Sequence, residues 1–353
     1  MAIDRGDPRR VHMVLLVLLL VAVLAGACSG EDPLPGTGGA TVSDEAGSPG
    51  QEERADFSDI PDLVDEVQPS VVTVVTDVGE GSGVIYDGDG AIVTNAHVVG
   101  DAGSIEVTFA DGSRADGEVV AADPAVDLAV IRTDRDDLEA AQFSARTPAV
   151  GELAVAIGNP LGLENSVTAG IVSGLERSVP GGGTALVGLL QTDAAISPGN
   201  SGGALVGGSG EVVGINVAYI PPAGGAVSIG FAIPSAVVVD VVDELLADGQ
   251  VEHAFLGIAL RPLTPQLAEQ YGIGTEAGVL VIDVLPGGPA DEAGVRAGDV
   301  ITAINGEPVA EPGDLLAELR ASDPGDRVEL SLLRNGQEES VEVELGAAPP
   351  VPG

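Results

Sequence analysis

From residue 71 to residue 219, short runs of β-branched and aliphatic residues alternate with turns rich in glycine and aspartate. Short runs at such spacing are typical of an all-β barrel or sandwich, and the region lacks the helix–strand alternation of a parallel sheet. The fold class predicted for this part of the chain is therefore mainly β. We predict strands at residues 71–75, 83–86, 91–95, 104–109, 117–122, 128–132, 153–157, 167–175, 204–206 and 212–219.

Helical periodicity occurs on both sides of these strands. A short amphipathic segment at residues 57–67 precedes them, and Pro69 ends it. Residues 235–248 carry a single apolar stripe and are predicted to form a helix that closes the β-rich domain. Ser235 is the predicted N-cap of this helix and Gly249 its stop.

Shifts in composition divide the chain into five segments. The first has arginines, then an apolar run, then small residues, which is the order of an export signal. The second is acidic and rich in glycine and proline, as expected of a disordered linker. The last folded segment contains further strands and two predicted helices, near residues 289–294 and 313–320. We predict a signal, lipoprotein or membrane-anchor segment at 1–28, a linker at 29–56, a β-rich domain at 57–252, a second domain at 253–346 and a disordered tail at 347–353.

Cys28 is the only cysteine, which excludes an intrachain disulfide bond. It follows three small residues, so it is a candidate for lipidation. Ordinary cleavage after the same small residues, and retention of the apolar run as an anchor, are alternatives that the sequence leaves open. All three place the rest of the chain outside the cytoplasmic membrane.

The charge of the chain is strongly negative. It has 55 acidic residues, 14 arginines and no lysine, for a formal net charge of −41. A basic surface for phosphate groups is missing, so we expect no nucleic-acid partner. No group of histidine, cysteine and acidic residues has metal-ligand spacing, and we expect neither a metal nor an organic cofactor.

The stretch from residue 196 to residue 205 is the candidate for chemistry. Ser201 lies among small residues here, so a carbonyl group of another chain can approach it closely. A serine hydroxyl is a weak nucleophile unless a base takes its proton and donors stabilise the oxyanion. The N–H groups of Gly199 and Ser201 can form such an oxyanion hole in a kinked turn. Because similar sequences also occur in plain turns, this interpretation requires a base elsewhere.

Only three histidines are available as that base. His12 lies in the export segment and His253 between the two domains. His97, at the end of a predicted strand, is therefore the only candidate within the domain of Ser201.

The carboxylate that would orient His97 is harder to select among so many acidic residues. Asp127 immediately precedes an apolar predicted strand, which can shield it and let it fix the imidazole tautomer. Asp101, in a predicted turn, and Asp193, close to the serine, are alternatives that the residues alone leave open.

Several linked stretches resemble the HtrA/Deg family of serine proteases. The resemblance covers residues 57–346 and implies a trypsin-like double β-barrel followed by one PDZ domain. It also implies that His97 is the general base, that Asp127 orients it and that Ser201 is the nucleophile. The matching stretches lie at residues 81–85, 94–99, 123–130, 191–203 and 230–234.

Further roles follow from the same resemblance. Gly199, Asn200 and Ser201 would form the oxyanion hole, and Ile196 would line a small apolar specificity pocket. Such a pocket suits cleavage after valine, alanine or similar residues in unfolded chains.

Residues 288–301 resemble the distinctive stretch of a bacterial PDZ domain. The resemblance implies that Phe255, Leu256, Gly257 and Ile258 form the loop whose N–H groups bind a C-terminal carboxylate. The peptide would then add as a strand beside this loop. A role as a packing module is the alternative.

These expectations combine into one predicted function. The chain would be an extracytoplasmic, ATP-independent serine endopeptidase that cleaves unfolded or misfolded proteins in protein quality control and stress response. It would be membrane-tethered and homotrimeric, and its PDZ domain would recognise C-terminal peptides. The alternative is a membrane-tethered PDZ peptide sensor or holdase with little proteolysis.

Overall fold

The structure is a computed structural model that describes residues 57–349, except for 78, 160–165, 180–184, 198, 221–228, 272 and 276. The predicted export segment with Cys28, the linker 29–56 and residues 350–353 lie outside the described residues. Within the described ranges, no helix has both the length and the apolar character needed to cross a bilayer.

The first domain consists of two closed antiparallel barrels, which confirms the predicted mainly β fold. The first has the strand order β1-β2-β3-β6-β5-β4 and the second β10-β11-β12-β9-β8-β7. Strands of the first are β1 Val71–Thr76, β2 Glu80–Ile85, β3 Ala91–Thr94, β4 Ile105–Thr108, β5 Arg114–Asp123 and β6 Leu128–Thr133. Strands of the second are β7 Leu153–Gly158, β8 Ser166–Val179, β9 Leu186–Thr192, β10 Ala204–Gly207, β11 Val212–Ile220 and β12 Ile229–Pro234.

Each barrel has its own aliphatic interior, and a third apolar cluster lies between the barrels. Because successive side chains of a strand point to opposite faces, Ile92 of β3 packs inside the first barrel while Val93 packs between the barrels. Ile157 of β7 joins the shared cluster from the other side. The two barrels therefore meet along a continuous apolar seam.

All ten predicted strands have counterparts in the structure, but β9 and β12 were not predicted. Gly188 interrupts β9 with a left-handed φ of 69°, which weakens the pattern of alternating residues. β12 ends in Pro234, directly before a helix, so no turn separates the two elements.

Three helices belong to the first domain: α1 Ile60–Val67, α2 Ala96–Val99 and α3 Ser235–Asp248. α3 packs its apolar stripe into the cluster between the barrels. The predicted stop is confirmed, since Gly249 has a left-handed φ of 73° and its N–H donates to the carbonyl oxygen of Leu245. The predicted cap is wrong: Pro234 occupies the N-cap, and the Ser235 hydroxyl donates instead to the carbonyl oxygen of Ser144, at 2.6 Å.

The second domain is a small sheet with three helices. The strand order of the sheet is β14-β15-β16-β18-β19, and β17 pairs with β16. Strand β14 therefore lies at an edge of this sheet. β13 and β20 form a separate two-stranded sheet. Two helices match those predicted, while α4 was not predicted. The elements are β13 Ala254–Phe255, β14 Ile258–Pro262, α4 Pro265–Tyr271, β15 Val279–Val284, α5 Pro289–Glu292, β16 Val300–Ile304, β17 Glu307–Pro308, α6 Pro312–Arg320, β18 Arg327–Arg334, β19 Gln337–Glu344 and β20 Gly346–Ala347.

The predicted start of the disordered tail, residue 347, is wrong, because the second domain extends past it. Ala347 pairs with Ala254 in β13, and the N–H of Ala348 donates to the carbonyl oxygen of His253 at 2.9 Å. These main-chain bonds tie the end of the second domain to its start.

Candidate active site

His97 and Asp127 lie side by side because neighbouring strands carry them. His97 belongs to α2, which directly follows β3, and Asp127 immediately precedes β6, which pairs with β3. The imidazole Nδ1 lies 2.7 Å from Oδ2 of Asp127, and the main-chain N–H of His97 donates to Oδ1 at 2.9 Å. With Nδ1 held by the carboxylate, Nε2 is the nitrogen left to take a proton.

The backbone of Asp127 is itself held in place. Asp127 has a left-handed φ of 58°, a conformation that aspartate tolerates better than most residues. The buried Asn95 side chain donates from Nδ2 to the carbonyl oxygen of Asp127 at 2.9 Å. Asn95 therefore fixes the turn that aims the carboxylate at His97, a role that the sequence analysis did not predict.

Ser201 lies in a tight turn that enters β10 of the second barrel. Hydrogen bonds between main-chain groups fix this turn: the N–H of Gly202 donates to Asn216 and the N–H of Gly203 to Asn200, at 2.8 and 3.0 Å between nitrogen and carbonyl oxygen. The half-buried Ser201 hydroxyl donates to the carbonyl oxygen of Val217 at 3.3 Å. This distance is long for a hydrogen bond from an O–H donor, so the bond is weak and the hydroxyl can turn towards another acceptor.

The turn of Ser201 lies directly across the seam from the strand that leads to His97. A Cβ atom built on Gly202 would lie 2.3 Å from the hydroxyl oxygen of Thr94, so only glycine fits there. One built on Gly81 would contact both Val98, the neighbour of His97, and the carbonyl oxygen of Ser201. The seam thus brings the base and the serine into one region from separate barrels.

Two main-chain donors flank Asn200. Gly199 has a left-handed φ of 98°, and in the described part of the chain the N–H groups of Gly199 and Ser201 have no hydrogen-bond acceptor. The N–H of Asn200, by contrast, donates to the carbonyl oxygen of Ser197 at 3.0 Å. The donors available to an oxyanion are therefore those of Gly199 and Ser201, while Asn200 helps to shape the turn.

Ile196 is buried in an aliphatic environment. It packs in one cluster with Leu190, Val213 and Ala232. A Cβ atom on Gly230 would lie 2.4 Å from Cγ1 of Ile196, so glycine at this position makes room for the isoleucine side chain. The surroundings of Ile196 are therefore apolar.

Asp193 and Asp101, the alternatives to Asp127 as the carboxylate, have different surroundings in the structure. Asp193 accepts a hydrogen bond from the N–H of Ile171 in β8 at 2.8 Å, and Asp101 is exposed in the turn after α2. His253 pairs with a different carboxylate, with Nε2 lying 2.7 Å from Oδ2 of Asp123. Among the described residues, no group of three or more histidine, cysteine or acidic side chains could hold a metal ion.

The second domain reaches the turn that carries Asp127. Arg320, at the end of α6, donates from Nη2 to the carbonyl oxygen of Ala125 at 2.6 Å and from Nη1 to that of Val187 at 3.1 Å. Burial lowers the pKa of Arg320, while the nearby Asp123 raises it. Sequence reasoning missed Arg320, because its partners lie far away in the chain.

The loop predicted to bind a peptide carboxylate, residues 255–258, leads directly into the edge strand β14. The carbonyl oxygens of Leu256 and Gly257 accept hydrogen bonds from Ala290 and Leu285, at 3.0 and 2.8 Å. In a planar trans peptide the N–H points opposite to the carbonyl. The N–H groups of Gly257 and Ile258 therefore face away from the body of the domain.

Two family models match the chain. The trypsin-like peptidase domain matches residues 81–215, and the PDZ domain matches residues 254–345. Together with the two barrels and the arrangement of His97, Asp127 and Ser201, these matches define the class of the protein: a trypsin-like serine protease followed by a PDZ domain.

Solved structures narrow this class to one family. The HtrA-type protease AlgW with a decapeptide is 34% identical, with a TM-score of 0.69, and the match covers 82% of this chain and 99% of that one. The serine endoprotease from Yersinia pestis is also 34% identical, with a TM-score of 0.64 over 82% of this chain and 98% of that one. The chain belongs to the HtrA-type serine proteases.

The descriptions of curated relatives are consistent with this family. A probable periplasmic serine endoprotease DegP-like from Rhizobium meliloti (strain 1021) is 43% identical over 272 residues, which are 76% of this chain and 54% of the relative. A relative with the same description from Pseudomonas fulva (strain 12-X) is 41% identical over 270 residues, or 76% of this chain and 56% of the relative. The chain thus spans about half the length of the curated relatives that it matches.

The arrangement of His97 predicts how activity depends on pH. Only a neutral imidazole can accept the proton of Ser201, so we expect kcat/KM for an unfolded substrate to fall at acid pH, where protonation removes the base. The His97→Ala variant should lose activity by about 10³-fold or more.

A pH–rate profile measures this, with His253→Gln as the matched control for the other described histidine. The control should keep the acid limb of the profile. A wild-type profile that stays flat from acid to neutral pH would contradict the role of His97.

Proposed function

We propose that this chain is an ATP-independent serine endopeptidase that cleaves unfolded or misfolded proteins outside the cytoplasm, with His97, Asp127 and Ser201 as its catalytic triad. The observation that carries the proposal is the His97–Asp127 pair, at 2.7 Å, lying across the seam from Ser201. The N–H groups of Gly199 and Ser201, which have no acceptor among the described residues, support it further.

The proposed reaction proceeds in two halves. The Ser201 hydroxyl oxygen attacks the scissile carbonyl carbon while Nε2 of His97 takes the hydroxyl proton, and the new oxyanion accepts hydrogen bonds from Gly199 and Ser201. When the C–N bond breaks, His97 returns the proton to the leaving amine. Water then attacks the acyl-enzyme with His97 again as base, which releases the acid and restores Ser201. Asp127 holds Nδ1 of His97 and stabilises the imidazolium whenever it forms.

The apolar surroundings of Ile196 support a preference for small aliphatic residues before the cleaved bond. An extended segment has to reach Ser201 for the reaction, and an unfolded chain supplies such segments more readily than a folded one. The relatives named periplasmic serine endoproteases support both the reaction and an extracytoplasmic site of action.

The test of the proposed function is digestion of an unfolded, casein-type protein. We expect wild-type enzyme to cleave it after valine, alanine and similar residues, as mapped by mass spectrometry, and Ser201→Ala to be slower by about 10³-fold or more. The exposed Ser209→Ala variant is the control and should cleave like the wild type.

Equal cleavage by wild type and Ser201→Ala, or none by either, would contradict the protease proposal. Absence of cleavage with intact peptide binding would favour the alternative of a PDZ sensor or holdase.

The second domain is proposed to bind the C-terminal carboxylate of a peptide at the loop of Phe255, Leu256, Gly257 and Ile258. The outward N–H groups of Gly257 and Ile258 support the proposal, as does the position of β14 at the edge of its sheet. A peptide can add to this edge as a further strand, between β14 and α6.

Occupancy of this groove is proposed to act on the protease site through α6. Arg320 ends α6 and holds the carbonyl oxygens of Ala125 and Val187, while His253 holds Asp123 at the start of the same turn. That turn ends in Asp127. A peptide that shifts α6 therefore changes the support of the catalytic carboxylate, provided that it binds the two states with different affinity.

Substitution of Arg320 tests this coupling. In Arg320→Ala, a C-terminal peptide should change kcat/KM by less than about twofold, because the contact between α6 and the turn of Asp127 is lost. The affinity for the peptide should stay within about threefold of wild type, because the groove between β14 and α6 is unchanged. The measurement combines activity with peptide anisotropy titrations.

Arg327→Ala is the matched control, because among the described residues Arg327 forms its ion pairs with exposed Glu342 and Glu344 of its own sheet. The control should respond to peptide as wild type does. A full peptide response in Arg320→Ala would contradict the coupling.

The N-terminal segment is proposed to tether the enzyme to the outer face of the cytoplasmic membrane, through lipid on Cys28 or through the apolar run. A single cysteine placed directly after small residues supports lipidation.

The resemblance to HtrA/Deg proteases supports a homotrimer, which light scattering of the purified enzyme would detect as a particle of three chains.

Mass spectrometry of the mature N-terminus tests the tether. We expect a chain that begins at Cys28 and carries acyl groups. The Cys28→Ser variant should lack this modification and leave the membrane fraction. An unmodified N-terminus, or unchanged fractionation of Cys28→Ser, would contradict lipidation.

A further inference from the structure

Ser82 is a fully buried residue of β2 whose hydroxyl crosses the seam between the barrels. It donates to the carbonyl oxygen of Gly199 at 2.6 Å and accepts the N–H of Asn159 at 2.9 Å. Its own N–H donates to the carbonyl oxygen of Ser201 at 2.8 Å. One residue of the first barrel thus binds the turn of Ser201 on both sides of Asn200.

These bonds fix the planes of the peptide groups that flank the nucleophile. The peptide group between Gly199 and Asn200 is held at its oxygen by Ser82 and at its nitrogen by Ser197. The group between Ser201 and Gly202 is held at its oxygen by Ser82 and at its nitrogen by Asn216. Because a peptide group is planar, holding both ends sets its orientation.

The fixed planes leave two N–H groups over, and these are the donors of the proposed oxyanion hole. Relative to the fixed planes, the directions of these N–H groups depend on the backbone angles of Gly199, Asn200 and Ser201. Glycine at position 199 lacks a side chain to restrict these angles, so the restriction has to come from outside the turn.

We propose that Ser82 is a positioning residue for the proteolytic reaction, whose hydroxyl holds the Gly199 peptide so that the N–H groups of Gly199 and Ser201 converge on the oxyanion. This rests on the proposed function, because it concerns the oxyanion hole of that reaction. Ser82 does not touch the substrate; it acts through the main chain of Gly199.

The hydroxyl of Ser82 is itself oriented by its neighbours. Since the N–H of Asn159 donates to the hydroxyl oxygen, the hydroxyl proton is directed towards Gly199. Thr94 donates to the carbonyl oxygen of Ser82 at 2.7 Å and holds its main chain. The donor is therefore set before substrate binds, as electrostatic stabilisation of a transition state requires.

Kinetics of Ser82→Ala test the proposal. We expect kcat to fall about 10- to 100-fold with KM changed less than about twofold, since direct loss of an oxyanion donor costs about 10²- to 10³-fold and this effect is indirect. The inhibition constant of a peptide boronate, which forms a tetrahedral adduct on Ser201, should rise by the same factor as kcat/KM falls. Ser82→Cys keeps a weak donor and should lie between alanine and wild type.

One control separates positioning from stability. Ser235→Ala removes an equally short 2.6 Å bond from another buried serine to a carbonyl oxygen, that of Ser144, which lies outside the turn of Ser201. This variant should lower the thermal midpoint as Ser82→Ala does while keeping kcat within about twofold, because it does not change the oxyanion donors.

Wild-type kcat in Ser82→Ala, or parallel loss of kcat in Ser82→Ala and Ser235→Ala, would overturn the positioning role and leave the proposed function standing. Absence of cleavage by the wild type would overturn both. A fall of kcat confined to the Ser82 variants, with boronate affinity falling in parallel, would support the proposal.

Discussion

The relative position of the two barrels governs the site, because His97 and Asp127 come from one barrel and Ser201 from the other. The aliphatic cluster between the barrels supplies cohesion, but apolar contact is non-directional and does not by itself fix one register. Hydrogen bonds across the seam add direction: the hydroxyls of Thr73 and Ser82 donate to main-chain oxygens of the second barrel at 2.5 and 2.6 Å. Catalytic geometry thus depends on a few short bonds within an apolar interface.

The turn from Asp123 to Asp127 contacts both the candidate active site and the second domain. One end is held by His253 and Arg320, and the other by His97 and Asn95. Because the Arg320 guanidinium is half-buried, moving α6 away would break its hydrogen bonds to the carbonyl oxygens of Ala125 and Val187. In the proposed coupling, this cost favours two discrete arrangements of α6 over intermediate positions.

The mainly β fold was predictable because its pattern is local: β-branched runs and glycine turns indicate strands without knowledge of their partners. The division into two barrels, by contrast, needed the resemblance to a family. His97 followed from the scarcity of histidines, whereas the preference for Asp127 over Asp193 needed the resemblance to a family. The roles of Ser82 and Ser235 were not predictable, since a buried serine has no local signature. The acceptor for the Ser82 hydroxyl lies 117 residues away in the chain, and only the packed barrels bring it close.

Most of the buried side-chain polar atoms without a partner belong to asparagines at the candidate active site. In the described part of the chain these atoms are Asn95 Oδ1, Asn200 Oδ1 and Nδ2, and Asn216 Oδ1, together with Thr133 Oγ1 at the end of β6. Each such atom costs about 1–3 kcal/mol, and three of these residues are asparagines that bind or form the turns of Asp127 and Ser201. The amide of Asn200 lies so close to Gly158 that a Cβ atom there would be 2.5 Å from Oδ1. Close packing thus keeps the Asn200 amide in place at a cost in stability, and conflicts of this kind are expected where function rather than stability determines the residue.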